Sequence, residues 1–209
     1  MAYTIANKFF NLVLSHPEES DPSTWTQATA IEDMTRHFRD WDPRLVKIIA
    51  MIRETLKWPL LSGRPLPNWL SPSGKLLILG DAAHAMVPYM SEGAAMAVED
   101  GAALAEILSV VDSPSQILNA LKVFERVRIL RTGQMQEASL VNGKLWHFAD
   151  GVEQRARDAA MKPEVEGKKI IESPNQWSDQ VTATWTYGYD AETEVKRAWM
   201  QARSEESKL

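Results

Sequence analysis

With 209 residues, 44% of them hydrophobic, a formal net charge of −5 and a pI near 5.5, the chain has enough apolar content for one or two cored domains. Its acidic balance and lack of a basic stripe argue against nucleic-acid binding, which needs cations to neutralise phosphates. The absence of cysteine excludes disulfides, thiolate nucleophiles and iron–sulfur ligation, and no apolar run approaches the length of a membrane span or a signal-peptide core.

In chain order, Phe9 to Ser15 reads as a strand, followed by a polar loop from His16 to Ser23. Thr29 with Glu32 forms a capping-box pattern that predicts a short helix ending near Asp40. Asp42 then caps a helix with Pro43 at its first position, and Leu45, Ile48, Ile49, Ile52 and Leu56 form its apolar stripe. Trp58 to Pro72 is a proline-bearing linker. Lys75 to Leu79, bounded by Gly74 and Gly80, is an apolar run of the kind found in strands covered on both faces, as in a parallel sheet.

Ser91 is placed to cap a helix from about Glu92 to Leu108. Along it Ala94, Ala97, Val98, Gly101, Ala102, Ala105 and Leu108 form a smooth face that suits a sheet, a flat ligand or ordinary core. Glu99 and Asp100 are assigned to its solvated or capping side. Ser113, Pro114 and Gln116 open a long helix with Leu121, Phe124 and Val127 inward and Arg126, Arg128 and Arg131 solvated or paired. From Asp150 onward, charged stretches alternate with Trp177, Trp185, Tyr187, Tyr189 and Trp199, aromatic residues expected to anchor the tail on its own domain. The final Ser207-Lys208-Leu209 matches a peroxisomal address, so peroxisomal import is expected, with cytosolic residence as the alternative.

The informative stretch runs from Leu76 through Gly80-Asp81, His84, Pro88 and Gly93-Ala94. At the carboxyl end of a strand, a carboxylate such as Asp81 accepts hydrogen bonds from sugar-like hydroxyls. Gly80 leaves room for close backbone approach. The free amides at the following helix entrance face an incoming anion, and Gly93 lets them come near a ring. A lone Gly-Asp after a strand is ordinarily just a turn, and His84 alone reads as an orienting or packing residue. No His, Cys or carboxylate set stands at metal-site spacing, so no metal is expected.

The whole string, with Glu99 and Asp100 in register, resembles the second FAD-contacting motif of the salicylate hydroxylase-like, single-component FAD-dependent aromatic monooxygenases. Asn11 to Pro17 and Trp41-Asp42-Pro43 resemble the late substrate domain of that family. Trp146, Asp150-Gly151, Gln154, Asp158 and Trp185 to Ala191 resemble the ends of its fungal members.

The resemblance implies an α/β fold, a Rossmann-like FAD/NAD(P)-binding domain with a substrate domain, present here as a helix-dominated C-terminal half. Residues 1–72 would be a remnant of the substrate domain with a linker, 73–150 the C-terminal part of the FAD-binding domain, and 151–209 a tail. It further implies that Asp81 binds the ribityl chain of FAD and that amides near Gly93 meet the pyrimidine edge of the ring. Gly80, Pro88 and Ala94 complete the cofactor-binding set. Glu92 stands where family members often carry Gln, and its carboxylate is expected to point away from the flavin.

None of the ten glycines stands two positions from another, so the G-x-G-x-x-G turn that holds the pyrophosphate in this family is absent from the sequence. The strand at 75–79 likewise lacks a parallel neighbour. The resulting expectation is the flavin-contacting part of a monooxygenase that hydroxylates a phenolic substrate with NAD(P)H and O2, incomplete alone. A polypeptide supplying the dinucleotide-binding half is its expected partner beside a small aromatic substrate. The alternatives are a cofactor-free interaction protein and a small non-redox isomerase or cyclase on the same fold. No catalytic base is assigned.

Overall fold

A computed structural model describes residues 1–170 and 172–206; Ser207-Lys208-Leu209 therefore lies outside the described residues. The chain divides into two compact units, Met1–Leu60 and Leu61–Leu209. No helix among the described residues is long and apolar enough to cross a membrane.

The first unit opens with an antiparallel hairpin, β1 (Ala2–Ile5) paired with β2 (Phe9–Leu12) in the register Ala2 opposite Leu12. The strand expected from Phe9 is present but stops at Leu12, and its partner β1 was missed. The connection is three residues, Ala6 to Lys8, and its first two, Ala6 and Asn7, both take positive φ, 48° and 54°, a conformation that Asn, but rarely Ala, announces.

Helix α1 (Gln27–Phe38) starts two residues before Thr29. Thr26 is its N-cap and Thr29 the returning partner of the capping box, so the expected Thr29/Glu32 pair is corrected by one turn. Helix α2 (Pro43–Ile49) starts as expected, with Asp42 accepting from the Arg44 amide at 2.8 Å. It ends sooner than its apolar stripe, leaving Leu56 80% exposed. Met34, Phe38 and Ile49 form the core of this unit, with Leu12, Leu14, Leu45 and Ile52 against them.

The second unit is a helical assembly on an extended segment. Lys75 to Leu79 is not the two-sided strand expected. It carries one antiparallel bridge, Leu70 to Leu77, and Leu76 is 64% exposed. A strand needs hydrogen-bonding neighbours, and no named strand lies in this unit among the described residues. Leu77, Ile78 and Leu79 nevertheless pack on the main core.

The remaining elements are α3 (Asp81–His84), α4 (Gly93–Ser109), α5 (Ile117–Trp146), α6 (Val152–Val165), α7 (Gln180–Tyr187) and α8 (Ala191–Glu206). Helices α4, α5 and α8 pack around Ala103, Ile107, Ala120, Val123, Phe124, Val195 and Trp199, with Trp69 closing one end. The aromatic tail thus anchors on its own unit through α8. At α5, Glu125 fixes the incoming chain by accepting from the backbone amides of Trp69 and Leu70.

Two glycines test this packing with opposite signs. Gly101 lies exposed within α4, where an added Cβ meets nothing within 4 Å. Gly101→Ala should therefore raise unfolding free energy by about 1 kcal/mol through helix propensity. At Gly143 an added Cβ would collide with the Tyr89 ring, and Gly143→Ala should lower it by about 1–3 kcal/mol through overpacking. Denaturant unfolding of both variants checks the pair; equal signs would contradict the packing of α5 on Tyr89.

Candidate functional site

Gly80 turns the extended segment into α3 with φ 58° and ψ −143°, backbone that an L side chain adopts only under strain. A Cβ there would also press on the Ala97 methyl group at 3.4 Å. The Gly80 carbonyl accepts from the amides of Ala83 and His84, both at 2.9 Å. The turn leaves Asp81 at the first position of α3, exposed and without a hydrogen bond or ion pair among the described residues.

Behind the turn lies a buried polar network. The Asp100 carboxylate accepts from the Gly80 amide at 3.1 Å and from His84 Nε2 at 2.7 Å through Oδ2, and from Arg128 Nε at 2.8 Å through Oδ1. Arg128 also donates to Glu99 at 2.7 Å and to the Met96 carbonyl at 3.2 Å. Arg131 donates to Glu99 and to the carbonyls of Trp185 and Thr186 at 3.0 and 2.9 Å. Its guanidinium lies over the rings of Trp185 and Tyr189.

Burial by itself would raise the Asp100 carboxyl, yet hydrogen bonds from His84, Arg128 and Gly80 together hold it below its ordinary 3.8. Burial likewise works against the charge on Arg128, but its bonds to Asp100 and Glu99 keep its pKa raised. Both side chains are fully buried. The sequence assignment of Asp100 to a solvated side is overturned. Its face of α4 is the buried one, with Met96, Ala103 and Ile107.

The chain then passes through Met86 and Val87 into a one-turn 3₁₀ helix, Pro88–Met90. Its path is fixed from α5. Gln136 donates to the carbonyls of Gly63 and Ala85, and Asn142 donates to the Tyr89 carbonyl at 2.7 Å. Met90, Met96 and Met135 fill the space beneath. Ser91 does not cap α4 as expected. It sits in the left-handed region with its amide bonded to the Pro88 carbonyl, and Glu92 takes the N-cap position without a side-chain bond. The first turn of α4 therefore carries no side-chain cap. Glu92 is buried, and that burial raises its carboxyl pKa.

Of the expected cofactor residues, Asp81, Pro88 and Ala94 are exposed and Gly80 and Gly93 half-buried. An added Cβ at Gly93 would meet only the Met86 side chain, at 3.7 Å, so its near side is open. The smooth face of α4 is also open. Ala94, Ala97, Gly101, Ala105 and Leu108 are exposed, and Val98 is 72% exposed. Shallow hollows lie elsewhere, on α7 around Trp185 and beside α1 around Trp25. Sequence reading missed Asp100, Arg128, Gln136 and Asn142 as supports of the turn. Polar residues at helical spacing along an otherwise inward face of α5 were the available signal. It also missed His16, Glu18 and His37, which the fold brings together.

Comparison with known proteins gives this geometry a class. The FAD binding domain family matches residues 70–135, which hold the turn, α4 and the first half of α5. The FAD-dependent monooxygenase OpS4 of Beauveria bassiana is 32% identical over 192 residues, covering 91% of this chain and 44% of that protein. The 3-hydroxybenzoate 6-hydroxylase 1 of Aquipseudomonas alcaligenes is 33% identical over 191 residues, 90% of this chain and 44% of that protein. Among solved structures, a salicylate hydroxylase substrate complex superposes with a TM-score of 0.67 at 22% identity, covering 94% of this chain and 46% of that one.

The fold and site define a portion of a flavoprotein of the α/β FAD-binding class. Within that class most of the chain is similar to one part of FAD-dependent monooxygenases, and its fold is that of the corresponding part of salicylate hydroxylase. It spans less than half the length of the relatives it matches.

Asp100 gives the network a measurable acid dependence. A folded-state pKa below the ordinary 3.8 contributes stability that is fully present above that value and is lost as pH falls through the folded value. Asp100→Asn should cost about 3 kcal/mol at pH 7, because Arg128 stays buried with only Glu99 opposite it. The variant should also show a flatter loss of stability below about pH 4 than the parent. Urea unfolding across pH 3–7 tests both, and a parallel acid limb in the variant would remove Asp100 as its source.

Proposed function

We propose that this chain is the flavin-contacting part of an FAD-dependent monooxygenase that hydroxylates a phenolic ring with NAD(P)H and O2. The observation that carries the reading is the pairing of an exposed, unpartnered Asp81 with the uncapped entrance of α4, held in place from behind by Asp100. The residues fit the cofactor. Asp81 offers a free carboxylate to ribityl hydroxyls, Gly80 and Gly93 leave space for a close approach, and the α4 amides present positive potential to the pyrimidine edge. Pro88 and Ala94 line the same approach. The flavin, when bound, supplies hydride acceptance and oxygen activation. This chain's residues bind and orient it, and no side chain here is assigned a proton transfer.

The adenosine half requires another polypeptide segment, in the same longer protein or in a separate chain. The open Ala/Gly/Val face of α4 and the unpaired edge at 75–79 are the surfaces such a segment would cover.

Loss of charge-assisted phosphate contacts, worth about 1.5–3 kcal/mol each, lowers FAD affinity by orders of magnitude. The isolated protein should therefore be nearly colourless. Mixing with a dinucleotide-binding half should restore flavin absorbance. Asp81→Ala and Gly93→Val should each reduce that uptake, the first through the ribityl contact and the second by blocking ring approach. Stoichiometric FAD in the isolated chain would contradict the need for a second half, and full uptake by the Asp81→Ala complex would remove Asp81 from the site.

We also propose peroxisomal import through Ser207-Lys208-Leu209, supported by its position after the polar Arg203 to Glu206 run. A fluorescent protein fused at the N-terminus should appear in peroxisomes and disperse when Leu209 is deleted. Diffuse signal from both versions would show that these residues are not an address.

A further inference from the structure

The first unit holds a second constellation, unconnected with flavin. His16 and Glu18 lie on the loop after β2, and His37 lies in the last turn of α1. One nitrogen of each histidine and one Glu18 oxygen lie within 4.8 Å of one another, and a shared ion requires the His37 ring to turn out of its stack on His16 so that the in-plane lone pairs meet. The two imidazoles are nearly parallel, with centroids 3.9 Å apart and an interplanar angle of 20°.

Three features favour a cation. His16 Nδ1 lies 2.9 Å from the Pro17 carbonyl. A carbonyl only accepts, so Nδ1 carries the proton and Nε2 keeps its lone pair, the arrangement that orients ligating histidines in metal sites. Glu18 is ionised and anchored. Its Oε1 accepts from the Glu19 and Ser20 amides at 3.0 and 2.9 Å. Its Oε2 meets Lys57, whose charge is also matched by Asp33, leaving Oε2 a second lone pair. His37 is exposed on its helix and free to adjust. The ligand atoms need to close by at most about 1.5 Å to reach the roughly 3.3 Å spacing around a tetrahedral ion bonded at 2.0–2.2 Å.

We propose that His16, Glu18 and His37 bind one zinc-type divalent ion, with solvent in the fourth position. Two imidazoles and a carboxylate suit zinc, copper(II) or nickel(II) over calcium or magnesium, which require oxygen sets. Bound there, the ion ties the loop after β2 to the end of α1 and stabilises the first unit by mass action.

The test uses the whole chain. Titration with zinc chloride, followed by calorimetry and by ring-proton NMR of the four histidines, should give one ion per chain and move the signals of His16 and His37 while leaving His84 and His147 in place. Zinc should raise Tm, and a chelator should reverse the rise. His16→Ala, His37→Asn and Glu18→Gln should each weaken binding by about tenfold or more. His37→Asn loses the stack on His16, so its zinc-dependent rise in Tm is read against its own metal-free Tm. Calcium and magnesium should not compete. Absence of a zinc-dependent shift at His16 and His37, or equal zinc affinity in the parent and His37→Asn, would overturn the site.

Discussion

The second unit depends on one buried charge pair, Asp100 with Arg128. Two ions removed from water carry a desolvation cost that only near-complete hydrogen bonding offsets. Here both carboxylate oxygens are engaged, and the guanidinium is shared among Asp100, Glu99 and a main-chain carbonyl. The geometric consequence matters more than the energy. Asp100 can satisfy Arg128 on α5 only while it also holds the Gly80 amide and His84, so the angle of the turn and the spacing of α4 from α5 are set together. A turn whose backbone must adopt φ 58° is thereby held by a group that has no cheaper alternative.

Along the same helix, successive positions reach different parts of the site. Arg131 engages the tail, Gln136 the chain at Gly63 and Ala85, and Asn142 and Gly143 the Tyr89 segment. Helix α5, about 45 Å long at 1.5 Å per residue, acts as a straight edge against which separate loops are aligned. Its inward face is apolar at Ala120, Val123 and Phe124 and turns largely polar from Arg128 onward, where Arg131, Gln136 and Asn142 donate to backbone carbonyls that a purely apolar face would leave unsatisfied. The methionines beneath the Pro88 segment do the complementary work of filling an irregular gap.

Much of this was legible in the sequence, and the failures have physical causes. Helices α2 and α5, the turn at Gly80-Asp81 and the anchoring of the aromatic tail followed from caps, periodicity and aromatic content. The segment at 75–79 was misread because apolar composition records burial, whereas strand identity needs hydrogen-bonding neighbours that this sequence does not supply. The Ser91 cap failed because the residue is used in a left-handed turn one step earlier. Asp100 was misassigned because a charged residue is ordinarily exposed; only the presence of Arg128 on a different helix makes its burial possible, and no local pattern displays that. His16, Glu18 and His37 escaped a spacing argument because a loop and a helix end bring them together across some 20 positions. The smooth face of α4 was recognised, but whether it met core or a partner required the fold, which leaves it open.

The long reach of these contacts has a consequence for the order in which the molecule is made. The turn at Gly80 is synthesised before its supports, Asp100 and Arg128, and Arg131 in turn waits for carbonyls at 185 and 186. Contacts spanning more than fifty positions close late, after the entropy of the intervening loop has been lost. While the ribosome is still adding α7 and α8, Asp100, Glu99 and Arg128 are already available to hold the turn, and only Arg131 lacks its main-chain acceptors. The turn can thus close on Asp100 first, and α7 and α8 seal the second arginine afterwards.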